Sequence, residues 1–552
     1  MPTATHSHRR PRVPRRPFFP LAALCLAAAL AAPRAAASGF DTGRDAAGAV
    51  ALADALALTP EQASWLRIRG LGETRTEGDW RGATVDGTRA ALGELRRRGF
   101  KLCVLLIWDS PVWKSGVRPG PGNRFPIDLR EARERARQVA ATYGDLVDAW
   151  EIYNEPDIGF VADNPEHYAA FFKAVAHGLR EGRAAGGGFP ECPAPRVVMA
   201  ALAMPPGPFF QRLAANDFLN HTDALNYHYY GYPEDFADVH RQFQNALAAG
   251  VPRRPGRPPL REKHLPVFIT EYGYGLLDAT ARGTVAGRVH QWRFFAGVAP
   301  QVTALGVEAP MAFLLPPYLE HELGEFGLTA VPGSGGGLSY TPGDFGLDAA
   351  PSWMERPGAD GGVTPALAFL LDHAAKNPAR PRALATRARP ASPFVVDLVA
   401  GGDFVQDKQA GAYRVRDAVA TTQKAVAVLY NFSNATVTGR LLATLSGGAG
   451  SVAIGNDNLP SPGVAGVSVT LSPDERREVS LVLSVPEKVH RPNALELRFV
   501  PDGPSSPFVR RHSRKQPFAF RSVAAAPVAG VFSTLLYPSA DCMRPRLLFD
   551  FA

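Results

Sequence analysis

Two carboxylates occupy similar places in this chain. In "DAWEIYNEPD" (148–157) an apolar run ends in Asn154-Glu155-Pro156, and in "LPVFITEYGYG" (265–275) another ends in Thr270-Glu271-Tyr272-Gly273. A lone carboxylate at a strand end is an ordinary surface feature. Two of them, each delivered by a strand too apolar to lie exposed, describe rigid mounts that hold charged groups over one point. Carboxylates held in this way can give and take protons or attack an electrophilic carbon. Other polar and aromatic groups fall nearby. "NYHYYG" places His228 and Tyr230 on one strand face, "SWLRIRGL" places Arg67 and Arg69 on one face, and "IWDSPVW" supplies Trp108, Asp109 and Trp113.

The elements that must position these residues follow from hydrophobic periodicity. From about 60 to 375, short apolar runs alternate with amphipathic stretches: "SWLRIRGL", "FKLCVLLIW", "DLVDAWEIY", "RVVMAALAM", "DALNYHYYG", "LPVFITEYG" and "ALGVEAPMAFLL" read as strands. Between them lie helical patterns. In "NPEHYAAFFKAVAHGLREG", Asn164 is a candidate cap, Pro165 suits a first turn, and Tyr168, Phe171, Phe172, Val175 and Leu179 share a face. Strands apolar throughout and separated by helices indicate a parallel sheet covered on both sides. Seven strands are visible, and an eighth fits at 36–41, before the helix-like "DAAGAVALADALAL". The fold expected is α/β: a (β/α)8 TIM barrel, whose functional groups sit at the C-terminal ends of the strands. The two carboxylates then fall on strands four and seven.

After "TPALAFLLDHAAKN" (364–377) the texture changes to short strands separated by Gly, Asn, Asp and Pro, which suggests a small all-β sandwich. The expected organisation is an export signal over 1–37, a barrel over 38–380, a sandwich over 390–500, and a basic, Pro-rich, largely disordered tail over 501–552.

Charge and composition exclude several classes. Of the formal charge of +8, residues 1–37 hold six arginines and no acid, and residues 504–552 hold seven basic residues against two acids. The part between is mildly acidic, so no nucleic-acid partner is expected: phosphate binding needs its positive field on the folded body. The start combines an arginine-rich region, an apolar stretch of roughly 15 residues and Ala35-Ala36-Ala37, too short to cross a bilayer that takes about 20 helical residues. That is the form of an export signal, and Arg15-Arg16-Pro17-Phe18-Phe19 resembles a twin-arginine leader. An extracellular or periplasmic protein without stable membrane insertion is expected. The four cysteines lie far apart, with no zinc or disulfide pattern. "LEHELGE" (319–325) lacks H-E-x-x-H spacing and reads as a solvated acidic loop, so neither metal nor cofactor is expected. Asn431-Phe432-Ser433 fits a glycosylation acceptor.

Asn154-Glu155-Pro156 after an aromatic-rich strand, with Thr270-Glu271-Tyr272-Gly273 three strands later, resembles clan A of the glycoside hydrolases, families 5 and 39 above all. The resemblance spans about 60–375. It implies a retaining glycosidase acting on an oligo- or polysaccharide, with Glu155 as acid/base and Glu271 as nucleophile. Retention calls for carboxyls about 5–5.5 Å apart, against about 6.5–9.5 Å for inversion. By the same likeness Asn154 donates to the sugar 2-hydroxyl, Tyr230 bonds Glu271, His228 lines the sugar site, and an arginine of the second strand, Arg69 rather than Arg67, lies near the nucleophile. Trp108 and Trp113 are expected near the site, as sugar platforms or as barrel packing. One departure stands out: the clan's tryptophan at the end of strand eight is missing, and Glu308, Phe313 and Tyr318 stand there instead. A non-catalytic carbohydrate-binding protein and a transglycosylase share most of these features.

Overall fold

A computed structural model describes residues 39–70, 84–185, 194–249, 265–276, 284–320, 324–329, 338–355, 362–377, 391–401, 404–408, 412–415, 422–446, 450–455, 464–484, 493–502 and 529–537. The expected export signal, the centre of "LEHELGE" and most of the expected tail lie outside these residues.

The barrel strands are β1 (Gly39–Asp41), β2 (Trp65–Ile68), β3 (Lys101–Leu106), β4 (Ala149–Ile152), β5 (Arg196–Met199), β6 (Leu225–Tyr229), β7 (Val267–Tyr272) and β8 (Ala309–Ala312). They pair in parallel in the order β5-β4-β3-β2-β1-β8-β7-β6. Parallel bridges Val198–Ala224 and Leu202–Tyr227 join the two ends and close the barrel. The eighth strand expected near the start of the barrel is therefore β1. Around the strands run α1 (Ala46–Ala55), α2 (Val85–Arg97), α3 (Leu129–Tyr143), α4 (Pro165–Ala185), α5 (Pro208–Ala215), α6 (Phe236–Ala249), α7 (Val285–Ala304) and α8 (Pro365–Lys376). Asp45, Thr84, Thr284 and Thr364 each cap a helix by accepting an N–H of its first turn.

The barrel interior is layered. Its lower part is apolar, with Trp65, Cys103, Ala149, Val198, Ala224, Phe268, Ala309 and Met311 packed together. Above it the inward residues become polar. Glu308, expected at the end of strand eight, precedes β8 at the opposite end of the barrel and pairs with Arg196 at 2.6 Å.

After the β9–β10 hairpin (Leu319–Glu320, Gly324–Glu325) come β11 (Phe394–Ala400), β12 (Phe404–Asp407), β13 (Ala412–Val415), β14 (Thr422–Asn431), β15 (Val437–Ser446), β16 (Ser451–Ile454), β17 (Val464–Leu471), β18 (Arg476–Ser484), β19 (Asn493–Pro501) and β20 (Gly530–Tyr537). They form a four-stranded sheet, β11-β14-β18-β16, and a six-stranded sheet, β12-β13-β20-β19-β15-β17. Between the sheets pack Leu398, Leu441, Leu495, Leu497, Phe499 and Phe532.

Two expectations need correction here. The stretch after 501 is not featureless: β20 lies inside the six-stranded sheet, parallel to β13 and antiparallel to β19. Phe532, Thr534 and Leu536 alternate inward along it, a pattern too short to stand out within Pro- and Arg-rich surroundings. Asn431 is no glycan acceptor. It is fully buried, and its Nδ2 donates to the carbonyls of Ala435, Leu471 and Ser472.

The helix α4 carries the seam between barrel and sandwich. Tyr168, Phe171, Phe172, Val175 and Leu179 are buried, as their shared face requires. Its other side is buried too, against the sandwich, through polar groups. Asp397 accepts from Arg118 and lies 2.7 Å from His167 Nδ1, Glu166 accepts from Thr534, and Lys173 donates to Val531 O at 3.2 Å. The Asn164 side chain serves this seam rather than the helix start: its Nδ2 donates to Ala412 O at 2.9 Å.

Candidate active site

The ends of β1, β2, β4, β6 and β7 deliver the parts of a polar cluster at the C-terminal mouth. The β4 backbone departs from the ladder after Ile152, with Tyr153 at φ 73° and Glu155 at φ 40°. Such left-handed conformations are costly for residues other than glycine and concentrate at functional sites. Neighbouring strands hold this one in place: Tyr153 N donates to Leu106 O at 2.8 Å, and Glu155 N donates to Ala201 O at 3.1 Å. Asp157 ties the turn to the end of β5 by accepting from the N–H groups of Ala203 and Met204.

On β7 an irregularity decides which residues face inward. Asn226 pairs with Phe268 and His228 with Glu271, so two steps on β6 oppose three on β7. The extra residue is a β-bulge, and it lets consecutive side chains share one face. Thr270 and Glu271 thus both point into the barrel. Thr270 Oγ1 donates to Glu151 at 2.8 Å, and Glu271 reaches the mouth.

Glu271 collects donors on both oxygens. Its Oε1 accepts from Arg67 Nη1 and, at 2.8 Å, from Arg69 Nη2. Its Oε2 accepts from the Tyr230 hydroxyl at 2.6 Å and lies 3.4 Å from His228 Nδ1. Burial by itself would push this carboxyl up. His228, Arg67, Arg69 and the Tyr230 hydroxyl overcome burial and hold it down at about 2. His228 moves the other way: burial disfavours its charge, but Glu271 and Glu155 outweigh this and raise it. Tyr230 is pushed well above its ordinary value by burial and by Glu271, so its hydroxyl keeps the proton it donates.

Glu155 stands across the mouth, 8% exposed, with Oε1 2.6 Å from His228 Nδ1. Ligand atoms of Glu155, His228 and Glu271 all lie within 4.8 Å of one another. That spacing could hold a metal ion, but a divalent cation here would face Arg67 and Arg69, which already engage Glu271. The donor set suits proton transfer and nucleophilic attack better.

Asn154 is fixed by Arg67, whose Nη2 donates to its Oδ1 at 3.0 Å. That leaves the Asn154 amide N–H groups for a ligand hydroxyl. The arginine expectation is corrected in part. Arg69 does bond Glu271, yet Arg67 does so as well, and Arg67 is the fully buried one. Trp108 and Trp113 take the packing alternative. They lie T-shaped against each other at 5.8 Å and against Phe171 at 6.2 and 6.1 Å, with 1% and 5% exposure, so neither has a face free for a sugar. Phe313 follows β8 as expected and packs edge-on with Tyr230, Tyr318 and Phe326, under the Arg69 guanidinium.

The sequence motifs did not point to Asp41, Glu151 or Asn226 and gave Thr270 no role; all four lie just below. Glu151 Oε2 accepts from Arg67 Nε at 2.7 Å and its Oε1 from Asn226 at 3.0 Å. Asp41 Oδ2 accepts from Arg67 Nη1 at 2.8 Å and Arg69 Nη2 at 2.6 Å. The available signal was an acid inside each apolar run: Asp41 ends "GFD", and Glu151 interrupts "AWEI".

No protein-family model and no curated protein matches this chain. Solved structures similar to it include a family 39 glycoside hydrolase from Bacteroides cellulosilyticus, at 12% identity and TM-score 0.40, covering 82% of this chain and 81% of that one. An α-L-arabinofuranosidase from Thermotoga maritima gives 12% identity and TM-score 0.34, covering 79% and 89%. An exo-β-1,4-mannosidase from an Opitutaceae bacterium gives 12% identity and TM-score 0.36, covering 65% and 64%.

Proposed function

We propose that this chain is a retaining glycoside hydrolase acting on the O-glycosidic bonds of an oligo- or polysaccharide. One observation carries the reading. Two buried carboxylates face each other across a barrel mouth, with one oxygen of each within 4.8 Å of one oxygen of the other, and one of them is held ionised by Arg67, Arg69 and Tyr230. That distance suits direct attack on the anomeric carbon better than a gap that must admit water.

In the first half-reaction a Glu271 oxygen attacks the anomeric carbon as the bond to the leaving oxygen breaks. Glu155 delivers the proton that the leaving oxygen needs, with His228 Nδ1 2.6 Å away to orient its carboxyl. Asn154, its carbonyl oxygen tied to Arg67, offers N–H to the sugar 2-hydroxyl, a contact that strengthens in the oxocarbenium-like transition state. In the second half, water attacks the same carbon, Glu155 takes its proton, and the bond to Glu271 breaks, returning the carboxylate to its donors. The leader-like residues 1–37 support action outside the cytoplasm.

The test is hydrolysis of a panel of aryl glycosides and polysaccharides, with the first-formed anomer read by NMR. Wild type should release the retained anomer, Glu271→Ala should be inactive, and Glu155→Ala should be rescued by azide to give a glycosyl azide of retained configuration. An inverted product would refute the mechanism. Glycan binding without turnover would make the chain a binding protein.

A further inference from the structure

Arg67 and Arg69 each bridge two carboxylates, Glu271 above and Asp41 below. Asp41 is fully buried on β1, and its Oδ2 takes both guanidiniums while its Oδ1 accepts Gly43 N at 2.7 Å. The arginines are anchored unequally. Arg67 is also held by Glu151 and Asn154, but Arg69 is 30% exposed in its side chain, and among the described residues its guanidinium donates to Asp41 and Glu271.

The proposed reaction turns Glu271 from an anion into a neutral ester and back. At the ester stage both guanidiniums lose their upper partner, and Asp41 keeps a negative charge beneath them. We propose that Asp41 is a positioning residue that divides the two arginine charges with Glu271, keeping that carboxylate nucleophilic and holding Arg69 in place through the covalent stage. The inference rests on the retaining reading. The charged and titratable groups facing Glu271 are Arg67 from β2 and Arg69 just past its end, Asp41 from β1, His228 and Tyr230 from the β6 segment, and Glu155 from the β4 turn. Glu151 lies behind Arg67.

Without Asp41, the Arg69 charge and the part of the Arg67 charge that Glu151 does not meet fall on Glu271. A carboxylate so stabilised attacks more slowly and departs more readily. A purely structural role would slow both half-reactions alike. The two can be read separately with a 2-deoxy-2-fluoro glycoside: inactivation reports attack by Glu271, and reactivation of the trapped enzyme reports its departure. For Asp41→Asn, inactivation should slow on the order of tenfold while reactivation holds or quickens. Equal slowing of both steps would overturn the proposal. If Asp41→Asn does not fold, Arg69→Gln tests the same division from the other side. It should slow reactivation more than inactivation, and equal effects would again refute. Mass spectrometry separates the two readings: wild type that forms no adduct on Glu271 refutes the retaining function itself, and the positioning role with it.

Discussion

Replacing Tyr230 with phenylalanine tests how Glu271 is kept ionised. The substitution removes one oxygen, the donor to Glu271 Oε2 at 2.6 Å, and leaves the ring that packs against Phe313 and Phe326. A hydrogen bond to a charged group contributes roughly 1.5–3 kcal/mol. One pH unit of titration corresponds to about 1.4 kcal/mol, so losing this donor should raise Glu271 by about one to two pH units. The carboxyl starts at about 2 because His228 and the two arginines also offset its burial. In the variant it should titrate between about 3 and 4, still ionised at neutral pH. The acid limb of kcat/KM should therefore move upward, and any loss at pH 7 should reflect a misplaced carboxylate rather than a protonated one. The assay is kcat/KM on an aryl glycoside from pH 2.5 to 8, with circular dichroism at each pH to confirm folding. An acid limb that stays in place, in a folded variant with reduced activity, would refute the view that Tyr230 supports the charge on Glu271.

Three further outcomes follow from the seam and the core. Burial would raise Asp397, but Arg118 and His167 hold it at about 2, below its ordinary 3.8. Its contribution is therefore present above about pH 4 and lost as pH falls through 2, so urea unfolding should show about 2 kcal/mol less stability at the acid end, and Asp397→Asn should remove that part of the slope. Lys173 is lowered to about 8 by burial, so its charge opposes folding at neutral pH and this cost fades as pH rises from 8. Lys173→Met should leave the unfolding midpoint unchanged or raise it, and a loss above about 1 kcal/mol would show that the bond to Val531 O outweighs the burial of charge. Trp113→Ala should cost about 3–5 kcal/mol of stability, as for a buried aromatic, with KM unchanged; a raised KM in a stable protein would restore a sugar-binding role.

The strand pattern carried most of the fold. Each apolar run became a barrel strand because a parallel sheet covered on both faces needs side chains that are apolar whichever way they point. The strand ends located Glu155, Glu271, His228 and Tyr230 for the same reason: a polar residue that closes such a run must leave the sheet at its mouth. Arg67 was harder to rank. It lies deeper in the apolar run than Arg69, which by sequence alone places it farther from the mouth, but Asp41 and Glu151, from two other strands, hold it beneath Glu271. The tryptophans were ambiguous because an indole after a strand packs or stacks equally well, and only Phe171 arriving from α4 filled the space around them. Strand β20 and the buried Asn431 depend on partners more than 30 residues away in the chain.

The sequence by itself determined which residue types stand at the strand ends, since periodicity and punctuation are local properties of the chain. The tertiary structure alone decided that two arginines are shared between Glu271 and Asp41, that a bulge turns Thr270 and Glu271 to the same side, and that the seam buries charged pairs among its apolar contacts. Those depend on side chains brought together from separate strands, and the energy of a charge pair depends on distance and burial, which no local pattern encodes.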